Sequence, residues 1–345
     1  MRHILLSLAV FCAACSDRDL ADSRAQFVID DLKAHHLAVK PWTSLAVRDA
    51  PSTFHFLVVS DRTGGMRAGV FADAIERAEL LQPAFIMSVG DLIEGYDFPH
   101  GYKRDRQALE REWDRFDALL GGLKAPFFYT PGDHDFSSQL MADIWAERLG
   151  RSFYHFRYKD VLFLVINSEL FERPEPAWHW KDYTQIFAKQ QAEQLQYIKD
   201  VLQRHRHVRW TFVFMHKPFW RSQWVKPDNG SSQNKAGPWP RKYSIPPEWP
   251  QVEAQLDGRN YTLFAGHLHS YEADLAQTEK GYRHDKIALA TTGGLSAMRG
   301  PDYGEFDHIV WITMTADGPV IGNVLTEGLL RQDVELPKQR PYWVK

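Results

Sequence analysis

Five apolar runs in this chain each end on an acid or an imidazole. Phe54-His55-Phe56-Leu57-Val58-Val59-Ser60 runs into Asp61, and Ala84-Phe85-Ile86-Met87-Ser88-Val89 is followed by Gly90-Asp91. Pro126-Phe127-Phe128-Tyr129 leads to Pro131-Gly132, then Asp133 and His134. Arg209 to Met215 ends at His216, and Phe264-Ala265-Gly266 delivers His267 and His269. Short apolar runs of this kind predict buried strands. A single Asp after a strand is an ordinary turn or cap residue. Five such ends in order are another matter, because chance scatters acids and histidines along strands and helices alike. In open α/β sheets, ligands bind where loops diverge at the carboxyl ends of the strands. The pattern predicts that these side chains meet at one rim. The His-x-His pair sharpens this. On an extended chain the two rings point to opposite sides, whereas a turn at Gly266 lets both converge on neighbouring metal ions.

Between the runs the period changes. Arg67 to Leu81 carries Phe71, Ile75, Ala78 and Leu81 at helical spacing. Lys103 to Leu120 puts Leu109, Trp113, Phe116 and Leu120 on one face and stops at Gly121-Gly122. Ser137 to Leu149 also reads as a helix. Strands alternating with helices predict an α/β sheet. Further on, Tyr154 to Tyr158 and Val161 to Ile166 read as a hairpin around Lys159-Asp160. A helix follows over Gln190 to Arg204, with Leu195, Ile198 and Leu202 inward. Short strands are expected at Ala288 to Ala290, Ile309 to Met314 and Val320 to Leu325, the last two joined by a turn at Asp317-Gly318. Two stretches, 171–187 and 219–249, break the rhythm and read as long loops over one end of the sheet. Their Trp178, Trp180, Trp220, Trp224, Trp239 and Trp249 either pin the loops down or offer flat surfaces to sugars, bases or acyl chains.

The chain has 345 residues, 44% of them hydrophobic, enough for a sizeable core. A net charge of −3 with no Lys/Arg stripe argues against a nucleic-acid partner. Residues 1–15 read as an export signal: Arg2 and His3, an apolar Ile4 to Phe11, then Ala13-Ala14. Cys15 after Ala13-Ala14 resembles a bacterial lipoprotein lipobox, although Cys12 stands where such boxes usually carry Leu. Ser16 after that Cys favours the outer membrane. The expected location is therefore an outer-membrane lipoprotein facing the periplasm, or a soluble periplasmic protein. Membrane contact is expected only through a lipid anchor at Cys15. Residues 16–50 read as a tether with a short helix around Ala25 to Leu37, and 51–345 as the functional domain. Both cysteines lie in the signal, so any metal in the body is held by His, Asp, Glu or Asn.

In order, Asp61, Gly90-Asp91, Gly132-Asp133-His134-Asp135, His216 and Gly266-His267-Leu268-His269 resemble the motifs of the calcineurin-like metallophosphoesterase superfamily, over roughly residues 54 to 326. The resemblance implies a four-layer α/β/β/α sandwich of two mixed sheets flanked by helices. It implies a dinuclear metal centre and hydrolysis of phosphomonoesters or phosphodiesters. Carried over by position, Asp91 bridges both metals, Asp61 and His269 bind the first, and Asp133, His216 and His267 bind the second. His134 protonates the leaving oxygen, with Asp135 orienting its ring. The attack implied is by a metal-bound hydroxide. The substrate expected is a phosphorylated small molecule or envelope component.

Two positions depart from the pattern. Thr63 stands where the family has a His, and Asp133 where it has Asn. The first site thus lacks an imidazole, and water, Thr63 or Glu94 fills its place. Glu94 is the hypothesis taken forward, because purple acid phosphatases of the same superfamily also lack that His and carry a ligating Tyr at this offset from the bridging Asp. The oxygen-rich set favours two manganese or iron ions, with zinc possible. Arg62 is expected to reach a phosphoryl oxygen. The amides of Thr291-Thr292-Gly293-Gly294 either line the pocket or form a plain turn. Two other readings stay open: a non-catalytic envelope binding protein on the same fold, and a mononuclear hydrolase with a degraded first site.

Overall fold

Successive residues of an extended chain face opposite ways, and the run from Phe54 to Val59 is apolar on both faces. Such a strand must be covered twice. The computed structural model, which describes residues 27–28, 41–43, 53–97, 102–171, 185–221, 245–325 and 329–331, shows how. Phe54, Phe56 and Val58 join a core between two sheets. Leu57 and Val59 face a layer of helices.

The chain order is β1 (Phe27–Val28), β2 (Phe54–Val59), α1 (Val70–Leu81), β3 (Ile86–Ser88), β4 (Tyr96–Asp97), β5 (Tyr102–Lys103), α2 (Arg106–Leu120), β6 (Phe127–Phe128), α3 (Gln139–Leu149), β7 (Tyr154–Tyr158), β8 (Val161–Val165), α4 (Gln185–Arg204), β9 (Trp210–Phe214), α5 (Trp249–Ala254), β10 (Tyr261–Ala265), β11 (Glu272–Gln277), β12 (Arg283–Ala288), β13 (His308–Thr315), β14 (Gly318–Leu325) and β15 (Leu329–Arg331). One sheet is ordered β15-β14-β13-β2-β3-β6 and the other β1-β7-β8-β9-β10-β12-β11. Both are mixed. β2, β3 and β6 run parallel while β13 runs against β2. β8, β9, β10 and β12 run parallel while β7 and β11 run against their neighbours.

Aromatic rings fill the seam. Phe128 and Phe156 stack with centroids 4.2 Å apart, and Phe156 and Phe163 at 4.8 Å, contacts each worth about 0.5–1.5 kcal/mol beyond burial. α1, α2 and α3 cover the outer face of the first sheet, where Phe71, Trp113, Phe116 and Trp145 are buried. α4 and α5 cover the other with Ile198, Leu202, Trp249 and Val252. The result is the α/β/β/α sandwich implied by the sequence motifs.

Four details differ from the sequence reading. The helix expected around Ala25 to Leu37 is instead, at Phe27–Val28, an edge strand paired antiparallel with β7; the rest of that range lies outside the described residues. β11 had no apolar signal, because Glu272–Gln277 is a largely exposed edge strand. The strand expected at Ala288 to Ala290 begins at Arg283, since its first turn of chain is half-exposed and polar. The hairpin pairs Thr315 with Gly318, so its loop is Ala316-Asp317, and Gly318 opens β14 at φ 117°. The export signal and most of the two Trp-rich stretches also lie outside the described residues. Of those tryptophans, Trp249 is a core residue against Phe219, centroids 5.8 Å apart.

Candidate metal centre

The carboxyl ends of β2, β3, β6, β9 and β10 open at one rim, and the residues that follow them converge there. Oδ1 of Asp133, Nε2 of His216 and Nδ1 of His267 stand 3.0, 3.1 and 3.0 Å from one another. Oδ1 of Asp91 lies 3.2 Å from the same His216 nitrogen. Asp61, Asp91 and His216 form a second group able to hold an ion. Nε2 of His269 stands 3.3 Å from Oδ1 of Asp61. All six side chains are buried or nearly so. The site thus gathers residues from both sheets.

Backbone strain and glycine make this crowding possible. Asp91, His267 and His269 have φ of 56°, 69° and 50°, the left-handed region that costs a side-chain-bearing residue about 1–3 kcal/mol. The chain turns at Gly266, which is why both imidazoles of the His-x-His pair reach the same rim. A Cβ on Gly132 would stand 2.2 Å from Oδ1 of Asp91, and one on Gly266 would stand 2.3 Å from Oδ2 of Asp61. Only glycine lets the acids sit this close to the neighbouring backbone.

Two rings are aimed by their second nitrogens. His216 Nδ1–H donates to the Val89 carbonyl at 2.9 Å, and His269 Nδ1–H donates to the Leu295 carbonyl at 2.5 Å. Each bond fixes the tautomer and leaves Nε2 as a lone-pair donor toward the cluster. The carboxylates are held by amides: His134 N–H donates to Asp91 at 3.0 Å and His267 N–H to Asp61 at 2.8 Å.

Charge follows from this packing. Burial pushes the Asp61 and Asp133 carboxyls up, but the charges beside them win. His269 and His216 hold Asp61 below its ordinary range. Lys217 and His267 hold Asp133 well below. Burial alone would lower His216 and His269, yet Asp91 and Asp133 raise His216 well above its usual value, and Asp61 raises His269. His267 goes the other way, to about 4, because burial and the charges of His216 and Lys217 outweigh Asp133. Without metal, the cluster neutralises its acids with imidazolium.

His134 sits beside the cluster, not in it. Its Nε2 is 4.0 Å from Oδ2 of Asp91, and its Nδ1 is 2.7 Å from Oε1 of Glu94. Burial lowers it, but Asp91 and Glu94 push it up to about 9. Three residues expected to act here have the following partners. Glu94 was expected as a ligand of the first metal. It instead faces His134 and accepts the Gly65 amide at 3.3 Å. Asp135 was expected to orient His134. Its oxygens instead accept the amides of Leu92, Ile93 and Gly132 at 2.9–3.0 Å, tying two ligand loops together. Arg62 was expected at the phosphoryl group. It is buried behind the 91–94 loop, donating to the Leu92 carbonyl at 2.6 Å with its guanidinium 5.8 Å from the centre of the Phe116 ring.

Thr63 turns away as well, its hydroxyl donating to the Ile93 carbonyl at 3.0 Å. The amides of Thr292 and Gly294 donate to the Asp61 carbonyl, and Gly293 N–H to the Thr291 hydroxyl, so they fix Asp61 in place. His55 is a packing residue stacked on Trp311, and Arg299 pairs with Glu305.

Tyr96 escaped the sequence reading. Its hydroxyl donates to Oδ2 of Asp133 at 3.0 Å and its ring stacks on His134, centroids 4.1 Å apart. No spacing rule marks a tyrosine five residues after an acid. The Gly64-Gly65 doublet did carry a signal, a close backbone approach: a Cβ on Gly64 would stand 2.9 Å from the His269 ring.

A family model described as calcineurin-like phosphoesterase matches residues 54–271. No curated protein matches the chain significantly in sequence. Solved structures similar to it include PhoD, at 13% identity and a TM-score of 0.56 over 85% of this chain and 73% of that one. GAP50, the anchor in the inner membrane complex of Plasmodium, is similar at 13% identity and a TM-score of 0.52, over 83% and 90%. A dimetal phosphatase from Danio rerio is similar at 14% identity and 0.51, over 82% and 99%. At these identities the likeness is one of fold.

Proposed function

The chain belongs to the calcineurin-like phosphoesterase family, and on that premise we propose that it is a metal-dependent phosphoric ester hydrolase. The donor set fits two divalent ions: buried carboxylates and imidazoles from five loops, with tautomers fixed to present lone pairs. Asp133, His216 and His267 would hold one ion, Asp61 and His269 the other, and Asp91 both. Such a pair, when bound, neutralises phosphoryl oxygens and acidifies water toward neutrality. Oxygen-rich ligation supports manganese or iron, with zinc possible.

The placement of His134 carries the proposal. A ligand-only site needs no extra imidazole, yet His134 is held beside the cluster with Glu94 behind Nδ1 and Nε2 turned toward Asp91. Nε2–H gives its proton to the departing alkoxide, and Glu94 holds the ring for that transfer. Tyr96 stacks on the same ring and clamps it over Asp133. Such acid catalysis is worth about 10²–10⁴-fold. The export signal and Cys15 support an envelope location with a lipid anchor, and a phosphorylated small molecule or envelope component as substrate.

Turnover of nitrophenyl phosphate and bis(nitrophenyl) phosphate with manganese, abolished in Asp91→Ala, tests this reading. No turnover of either ester with two ions bound per chain would reject it. One observation keeps a mononuclear reading in view. The Thr63 hydroxyl is taken up by the Ile93 carbonyl and Glu94 by His134 and the Gly65 amide, so the Asp61 side has fewer protein donors. Full turnover with one ion per chain would favour it.

A further inference from the structure

Three of the large apolar side chains left exposed among the described residues lie on the two loops that border His269. Met66, Leu295 and Met298 are 45%, 51% and 42% exposed. They lie on two loops joined to each other by backbone hydrogen bonds, Leu295 N–H to the Gly64 carbonyl at 3.2 Å and Arg67 N–H to the Gly293 carbonyl at 2.8 Å. Both loops touch His269. The Leu295 carbonyl accepts from its Nδ1, and Cβ atoms on Gly64 and Gly294 would stand 2.9 and 2.6 Å from its ring. Gly64 also borders His134, since that Cβ would be 3.6 Å from Nε2. Gly64 thus lies against both imidazoles, next to the nitrogen assigned to proton transfer. Met66 follows two residues on, and Leu295 is bonded to Gly64 itself.

Met298 lies on the same loop as Leu295 and is likewise exposed. Arg67, between the loops, is taken up by Asp307 and the Gly294 carbonyl, and Arg299 by Glu305. The described residues on these loops thus place their cations in internal pairs and their apolar groups in the open.

Resting on the hydrolase reading, we infer that the leaving group of the substrate is apolar, an alkyl or aryl alcohol, and that Met66 and Leu295 receive it. Phosphate itself needs no apolar wall, and a sugar or glycerol leaving group would be met by polar side chains.

The test is calorimetric binding of methyl-, butyl- and octylphosphonate to the full chain loaded with manganese. None of the three is hydrolysed. Affinity is expected to rise about tenfold from methyl to octyl, as partial burial of the added methylenes allows. In the double variant Met66→Gln, Leu295→Gln the octyl-to-methyl ratio falls to about one, while Met66→Leu, Leu295→Met keeps it. Flat affinity along the series in the wild type, or a ratio that survives the glutamines, overturns the inference. So does attachment to neutral phosphatidylcholine vesicles through the same residues without chain-length preference, which would make the rim a membrane contact. Turnover of nitrophenyl phosphate is measured separately. Its absence alongside a steep phosphonate series would reject hydrolysis and not the rim.

Discussion

Glu94 Oε1 stands 2.7 Å from Nδ1 of His134, and that contact redistributes the roles of two acids. Asp135, adjacent in sequence to His134, is spent on amides of the 91–93 and 132 loops. Glu94, forty residues away in order, supports the imidazole. A carboxylate behind an imidazole fixes ring and tautomer and favours the protonated form.

Glu94→Gln is therefore expected to leave two ions bound per chain while lowering kcat about 10–100-fold, the usual cost of losing such a support. The sign of its pH effect follows from the same contact. His134 is raised to about 9 by Asp91 and Glu94, so its acid form is present below that value and lost as pH rises through it. Bound cations oppose the carboxylates and move this limb down. Removing the Glu94 charge moves it down further. A kcat–pH profile with an unmoved alkaline limb in the variant would contradict the assignment.

His134→Asn is expected to discriminate between leaving groups. A nitrophenolate departs without a proton and should lose little, whereas an alkyl ester should lose about 10²–10⁴-fold. Paired kcat/KM values for the two substrate types measure this. Equal losses for both would place His134 in binding and not in proton transfer.

The rim was legible in the sequence because ligand chemistry is local to strand ends: apolar runs announce strands, and the next Asp or His announces the site. What was not legible depended on side-chain direction in loops. Whether Glu94 or Asp135 meets His134 is decided by how the 91–94 loop folds over the 132–135 loop. Arg62 follows a ligand directly, yet it turns behind the sheet to meet Phe116. β11 was missed for a different reason: an exposed edge strand needs no apolar alternation. The short helix expected around Ala25 to Leu37 rested on a polar stretch with only scattered apolar positions, and at Phe27–Val28 the pairing of β1 with β7 takes its place.

Gly132→Ala tests the crowding. Its Cβ would stand 2.4 Å from the Asp91 backbone nitrogen as well as 2.2 Å from Oδ1, so flexible side chains alone cannot relieve it. Overpacking of this kind costs about 1–3 kcal/mol, read as a lower Tm, and displacement of Asp91 should weaken both ions. Gly122→Ala, with nothing within 4 Å of the new methyl, is the control, expected within about 0.5 kcal/mol of wild type.

Proton release should accompany metal loading, and unequally for the two ions. In the metal-free chain His216 and His269 are raised above their usual value by the acids they face. Both therefore hold a proton to higher pH than a free imidazole, and any such proton must leave before the imidazole can bind a cation. His267, lowered to about 4, is already neutral and contributes none. Each ion thus displaces about one proton, from His216 at one site and His269 at the other. Apparent affinity falls as pH is lowered, because protons compete for the same nitrogens. Calorimetric titration with manganese in two buffers of different ionisation enthalpy counts the protons, and His269→Gln should remove one of them. A count that does not change with that substitution would show that the His269 proton is not displaced on loading.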